Sequence, residues 1–82
     1  MIDFPCEFSI KVFCAVDANI EEVIVAVIRR HKVEIETLRI TSRLSSGGKY
    51  NAFTATFITQ SQEQLDNIYR ELSGNAQIIM VL

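Results

Sequence analysis

The sequence predicts an α/β (α+β) sandwich in which a four-stranded antiparallel sheet carries two helices on one face. Three observations lead there. Two segments repeat apolar residues at helical spacing, several others alternate at strand spacing, and one glycine pair separates two of those strands. With 82 residues and 9.3 kDa there is room for one domain, spanning residues 1–82, around one apolar layer.

The first strand is expected from about Glu7 to Ala15, where Phe8, Ile10, Val12 and Cys14 alternate with Ser9 and Lys11. Phe4-Pro5 reads as an extended lead-in. Asn19 followed by Glu22 suggests a capped helix start. The residues behind it, Val23-Ile24-Val25 and Val27-Ile28, are β-branched and suit a strand by propensity. Spacing decides otherwise, because Ile20, Val23, Ile24, Val27 and Ile28 complete an i, i+3, i+4, i+7, i+8 stripe. The basic run Arg29-Arg30-His31-Lys32 then complements the C-terminal end of that helix.

Ile35, Leu38 and Ile40 predict a second strand ending near Leu44. Ser45-Ser46-Gly47-Gly48 is a turn, and Phe53, Ala55 and Phe57 mark a third strand, so the pair forms a hairpin. Ser61 with Gln64 is a capping-box pattern ahead of Leu65, Ile68, Tyr69 and Leu72, and Gly74 closes that helix. Ala76 to Leu82 is a final strand. The order β-α-β-β-α-β is the ferredoxin-like, split-βαβ arrangement, whose right-handed crossovers put both helices on one side.

That side should receive Phe8, Ile10, Val12, Phe53, Ala55, Phe57, Ile78, Met80 and Leu82. The opposite face then offers Ser9, Lys11, Thr54 and Thr56, together with four large apolar groups: Phe13, Ile58, Ile79 and Val81. A patch of that kind marks a partner, and the mean hydropathy of +0.21 agrees with one. We read Phe13, Ile58, Ile79 and Val81 as interface residues for a homodimer or another protein.

Composition narrows the function classes. Eight basic and ten acidic side chains give a net charge of -2, which argues against a domain held to nucleic acid mainly by charge. The longest apolar run, Val23 to Ile28, is too short to cross a bilayer. No cationic region followed by an apolar one opens the chain, so no signal peptide is expected. Cys6 and Cys14 lack the spacing of a metal or disulfide framework and read as reduced thiols, with Cys14 a small core filler.

His31 has no identifiable nucleophile partner, and Glu34 with Glu36 has no third ligand, so both read as surface features. Gly47-Gly48-Lys49 runs into a strand rather than a helix and is a hairpin turn, not a phosphate loop. These residues yield neither a catalytic constellation nor a cofactor or metal site. An alternative to a protein-binding face is an RNA-binding face using Tyr50, Phe13, Lys49 and Lys11. A third reading, an acyl phosphate hydrolase of the same topology, needs an anion cradle, and Ala15 to Asn19 contains neither arginine nor glycine.

The order and spacing of several short motifs carry a resemblance. Phe4-Pro5-x-x-Phe8-x-x-Lys11-Val12, Arg30-His31, Ser45-Ser46 before Tyr50, Tyr69-x-x-Leu72 and Met80-Val81-Leu82 cover nearly the whole chain. With them the chain resembles the YbeD-like family of small bacterial proteins of unassigned function. The resemblance implies a ferredoxin-like fold similar to ACT regulatory domains, a cytoplasmic bacterial protein, and a link to lipoate metabolism. It also implies a small-molecule ligand at the first strand–helix loop, where Asp17 and Asn19 are the polar candidates. Cys14 stands where family members often have glycine, a departure at the loop that an ACT-type ligand approaches. The expected function is a non-enzymatic regulatory or binding module.

Overall fold

The computed structural model describes residues 3–82. Its elements are β1 (Cys6–Ala15), α1 (Ile20–Arg30), a 3-10 turn (Ile35–Thr37), β2 (Arg39–Leu44), β3 (Tyr50–Thr59), α2 (Gln62–Ser73) and β4 (Ile78–Val81). The sheet order is β2-β3-β1-β4, and every neighbouring pair is antiparallel. This is the ferredoxin-like βαββαβ arrangement predicted from the periodicities.

The helix-facing side of the sheet is built by alternation. Ile10, Val12 and Cys14 of β1 and Phe53, Ala55 and Phe57 of β3 are buried. They meet Ile20, Ile24, Val27 and Ile28 of α1 and Leu65, Ile68 and Leu72 of α2. The β-branched run is therefore a helix, because only that conformation puts its apolar stripe on the sheet while Glu21, Glu22 and Arg29 stay exposed. Phe8 and Tyr69 close one side of the core edge to face, with ring centroids 6.5 Å apart and planes at 83°.

Several expectations are corrected. Asn19 occupies the N-cap position of α1, but its side chain makes no cap hydrogen bond, and the helix relies on Glu21 and Glu22 in its first turn. Ile35–Thr37 is a 3-10 turn, so Glu34 and Glu36 flank or occupy that turn and share no strand face. Thr37 holds the turn through its hydroxyl, which donates to the Glu34 carbonyl at 2.8 Å. Gly74 ends α2 with φ -80°, an ordinary helical value, whereas Gly48 at φ +70° uses the freedom that glycine provides.

The largest correction concerns β4. Val12 pairs with Val81 and Phe13 with Met80, but Cys14 pairs with Ile78. Ile79 is the extra residue of a bulge, and passing it exchanges the two sides of the strand. Met80 and Leu82 therefore lie on the open face, and Val81, expected there, packs against the core.

Glu71 and Gln64 of α2 tie the end of α1 to the second helix. His31 Nε2 lies 2.8 Å from Glu71 Oε1, and Arg30 pairs with the other oxygen of the same carboxylate. Gln64 donates from Nε2 to the His31 carbonyl at 2.8 Å, while its Oε1 accepts from Gln60 N at 2.7 Å. The Thr59 hydroxyl lies 3.0 Å from that same oxygen, so the one buried polar side chain among the described residues is satisfied.

Candidate functional site: the open sheet face

Residues paired directly across antiparallel strands point to the same side, so the register maps the open face row by row. The row through Phe13 contains Arg43, Ala52, Phe13 and Met80, one from each strand. The next row holds Thr41, Thr54 and Lys11, with Leu82 bound to Lys11 by main-chain hydrogen bonds of 3.0 and 2.8 Å. Arg39, Thr56 and Ser9 follow, and the Ser9 and Thr56 hydroxyls are 2.8 Å apart. Glu7 and Ile58 make the far row. At the opposite end Tyr50 pairs with Ala15.

The face is thereby divided. Its half near the β2–β3 turn is apolar, with Phe13, Ala52, Tyr50, Met80 and Leu82, and its other half is lined by threonine and serine hydroxyls. Tyr50, Met80 and Leu82 are all about half exposed, at 48%, 46% and 59%. Beside the turn, Phe13, Tyr50, Leu44, Ala52, Arg43 and Ser45 line an open groove of about 450 Å³. A second, of about 370 Å³, continues from Phe13 and Arg43 to Lys11 and Thr54.

Charge on this face differs from that of the whole chain. Its strand residues include Lys11, Arg39 and Arg43 against a single carboxylate, Glu7. Glu7 is spent on Arg39, 3.4 Å away. Among the described residues no carboxylate lies within ion-pair distance of Lys11 or Arg43. The remaining acids belong to the helices, their flanking loops and the N-terminal segment, so an acidic protein presents a locally basic sheet face.

The residues expected to form one patch are only partly brought together. Phe13 is central. Ile79 is 58% exposed in the bulge beside it. Ile58 is paired with Glu7, six residues along β1 from Phe13, or about 20 Å at strand rise. Val81 is on the other side of the sheet, as above. Met80, Leu82 and Arg43 take part instead. Arg43 was legible in the alternation Arg39-Thr41-Arg43 once the glycine turn sets the hairpin register, whereas Met80 and Leu82 required knowledge of the bulge.

Asp17 and Asn19 are exposed in the loop after β1, where Ala18 N donates to the Ala15 carbonyl at 3.0 Å. That loop sits at the same sheet end as Tyr50, through the Ala15–Tyr50 pair. Cys14 is fully buried, its Sγ 3.8 Å from the Asn51 carbonyl, and burial pushes its thiol above the ordinary value. It is a core side chain. Among the described residues no three His, Cys, Asp or Glu side chains come together as a metal site, and no helix is long and apolar enough to cross a membrane.

A family described as "Protein of unknown function (DUF493)" matches residues 1–82. The chain belongs to that family. Its relatives include a UPF0250 protein of Paraburkholderia phytofirmans, 40% identical over 82 residues, covering all of this chain and 92% of that protein. The sequence resemblance to YbeD-like proteins of unknown function is thus confirmed over the whole chain. DUF493 membership also agrees with the fold. The solution structure of HP0495 from Helicobacter pylori superposes with a TM-score of 0.83 at 12% identity, covering 100% of this chain and 86% of that one. The ACT domain from GTP pyrophosphokinase of Chlorobium tepidum gives 0.67 at 13% identity, covering 93% and 94% of the two chains. At such identities the likeness is one of fold, and the DUF493 chain is ACT-like in that sense.

Proposed function

We propose that this DUF493 protein is a cytoplasmic, non-enzymatic regulatory or binding module that engages a second copy or another protein through its open sheet face. The supporting observation is the apolar band Tyr50–Ala52–Phe13–Met80–Leu82, which crosses from β3 to β4 on the side of the sheet that carries no helix. A face exposed to water alone would be polar along its whole length, as it is around Ser9, Thr54 and Thr56. The ACT-like fold supports the same reading, since the neighbour in GTP pyrophosphokinase is a domain carried by an enzyme. The link to lipoate metabolism implied by the family resemblance says where a protein partner is sought first. Asp17 and Asn19, at the same end of the sheet, are the polar groups proposed to extend the surface.

Sedimentation velocity over a wide concentration range tests the reading. The expected result is concentration-dependent association that Phe13→Glu abolishes while the circular dichroism spectrum is unchanged. Association that persists in a folded Phe13→Glu variant overturns the open-face interface.

One observation favours a second reading, RNA binding. Tyr50 and Phe13 lie on the open side of the two central strands, diagonal to one another, with Lys11 one row away. Salt-dependent binding of single-stranded RNA that Tyr50→Ala removes is the result it requires.

A further inference from the structure

The groove at the turn end of the open face differs in character from the band it terminates. Two aromatic rings, Phe13 from β1 and Tyr50 from β3, stand on neighbouring strands and both line it. Leu44 and Ala52 complete its apolar surface, and Arg43 enters from β2. At about 450 Å³ its volume falls within the range of small-molecule sites, about 300–1,000 Å³.

Arg43 supplies the distinguishing chemistry. Arg43 is exposed on β2, and its planar guanidinium can grip a carboxylate or sulfonate through two parallel hydrogen bonds. Here the one carboxylate among the strand residues of the face, Glu7, is held by Arg39 at the far end. Lys11, the other cation beside Phe13, is likewise without an acidic partner among the described residues. Aromatic walls with an unmatched planar cation complement a ring that bears an anion. Such a ligand stacks its ring between Phe13 and Tyr50 and places its anionic group on the Arg43 fork. A nucleic acid strand needs a track of cations along the sheet, whereas the rows beyond Lys11 offer hydroxyls and an arginine already paired.

We propose that the groove between Phe13, Tyr50 and Arg43 binds a small aromatic anion, a ring carrying a carboxylate or sulfonate. This rests on reading the open face as the binding surface of the protein, and it adds a ligand class to that surface. Two such faces packed together would both carry Lys11 and Arg43, so an anion in the groove also reduces the like charge that opposes such contact.

Anilinonaphthalene sulfonate and its neutral parent, N-phenylnaphthylamine, are the probes, titrated by fluorescence into the full chain. Near-ultraviolet circular dichroism verifies that each variant is folded. Saturable binding of the sulfonate is expected. Arg43→Gln should weaken it about ten-fold or more, the size of a charge-assisted hydrogen bond, and leave the neutral probe unchanged. Tyr50→Ala should weaken both probes, and benzoate should displace the sulfonate. Absence of saturable sulfonate binding overturns the proposal, as does an equal effect of Arg43→Gln on both probes. Displacement by a single-stranded oligoribonucleotide but not by benzoate overturns it in favour of nucleic acid. If the sulfonate fails to bind while the protein still associates through Phe13, the ligand proposal alone falls. If Phe13→Glu leaves association intact while Arg43→Gln selectively weakens the sulfonate, the protein interface falls and the groove stands.

Discussion

Phe13 of β1 is paired with Met80 of β4, whereas its neighbour Cys14 is paired with Ile78. The residue skipped, Ile79, decides which side every later residue of the chain faces. Without the bulge, Val81 would join the open face and Met80 the core. With it, the exposed apolar band gains Met80 and Leu82, and the core gains Val81.

A pair of substitutions checks this assignment. Met80→Asp should leave thermal stability nearly unchanged and reduce association, because the side chain lies on the open face. Val81→Asp should instead lower stability by about 2 kcal/mol or more, since it sets a carboxylate against the core. Urea unfolding of both variants distinguishes them, and equal stabilities would contradict the register.

The core prediction is simpler. Phe57 is fully buried on β3, so Phe57→Ala should destabilise by about 3–5 kcal/mol. In a domain of this size that is a large part of the total stability. The measurement is the denaturation midpoint.

At the β2–β3 turn, the two glycines should respond differently. A methyl group at Gly47 meets nothing within 4 Å, whereas Gly48 has φ +70°, which strains any L side chain. Gly47→Ala should be nearly neutral, and Gly48→Ala should cost about 1 kcal/mol. Comparable melting temperatures for the two variants would contradict the turn geometry.

Alkaline pH should weaken the fold through Cys14. Desolvation raises its pKa above the ordinary value of 9.0, so the folded chain holds its proton where the unfolded chain releases it. Stability is therefore full below about pH 9 and falls as pH rises through the folded value. Tyr69, raised by burial in the same way, adds to the loss at higher pH. Cys14→Ala should flatten the lower part of this dependence in urea titrations at a series of pH values.

How much of this was legible in the sequence varies by element for physical reasons. Strands β1 and β3 alternate polar and apolar side chains because one face is dry and the other partly wet, so both strand type and facing could be read. The first helix was legible despite β-branched residues because its stripe has only one periodic solution. Strand β4 is apolar on both sides from Ile78 to Leu82, leaving no alternation to set its facing. Ile35 and Leu38 read as strand residues beside Ile40, but they stand three apart, an offset that suits a 3-10 turn, and the Thr37 hydroxyl satisfies a local carbonyl there. The open face was therefore foreseen at Ser9, Lys11, Phe13, Thr54, Thr56 and Ile58, while its β4 members, Met80 and Leu82, depended on the bulge.

Gln64 has a consequence for how the molecule opens. Its amide spans residue 60 at the end of β3 and residue 31 at the end of α1, which belong to different βαβ halves of the chain. Gln60 is itself exposed, and an amide proton there would ordinarily exchange with solvent at once. Bound to Gln64, that proton is shielded by the side chain that also reaches the other half. Its deuterium uptake should follow loss of the Gln64 side chain's placement at the β3–α2 junction, a placement that the bond to the His31 carbonyl on the other half helps to hold.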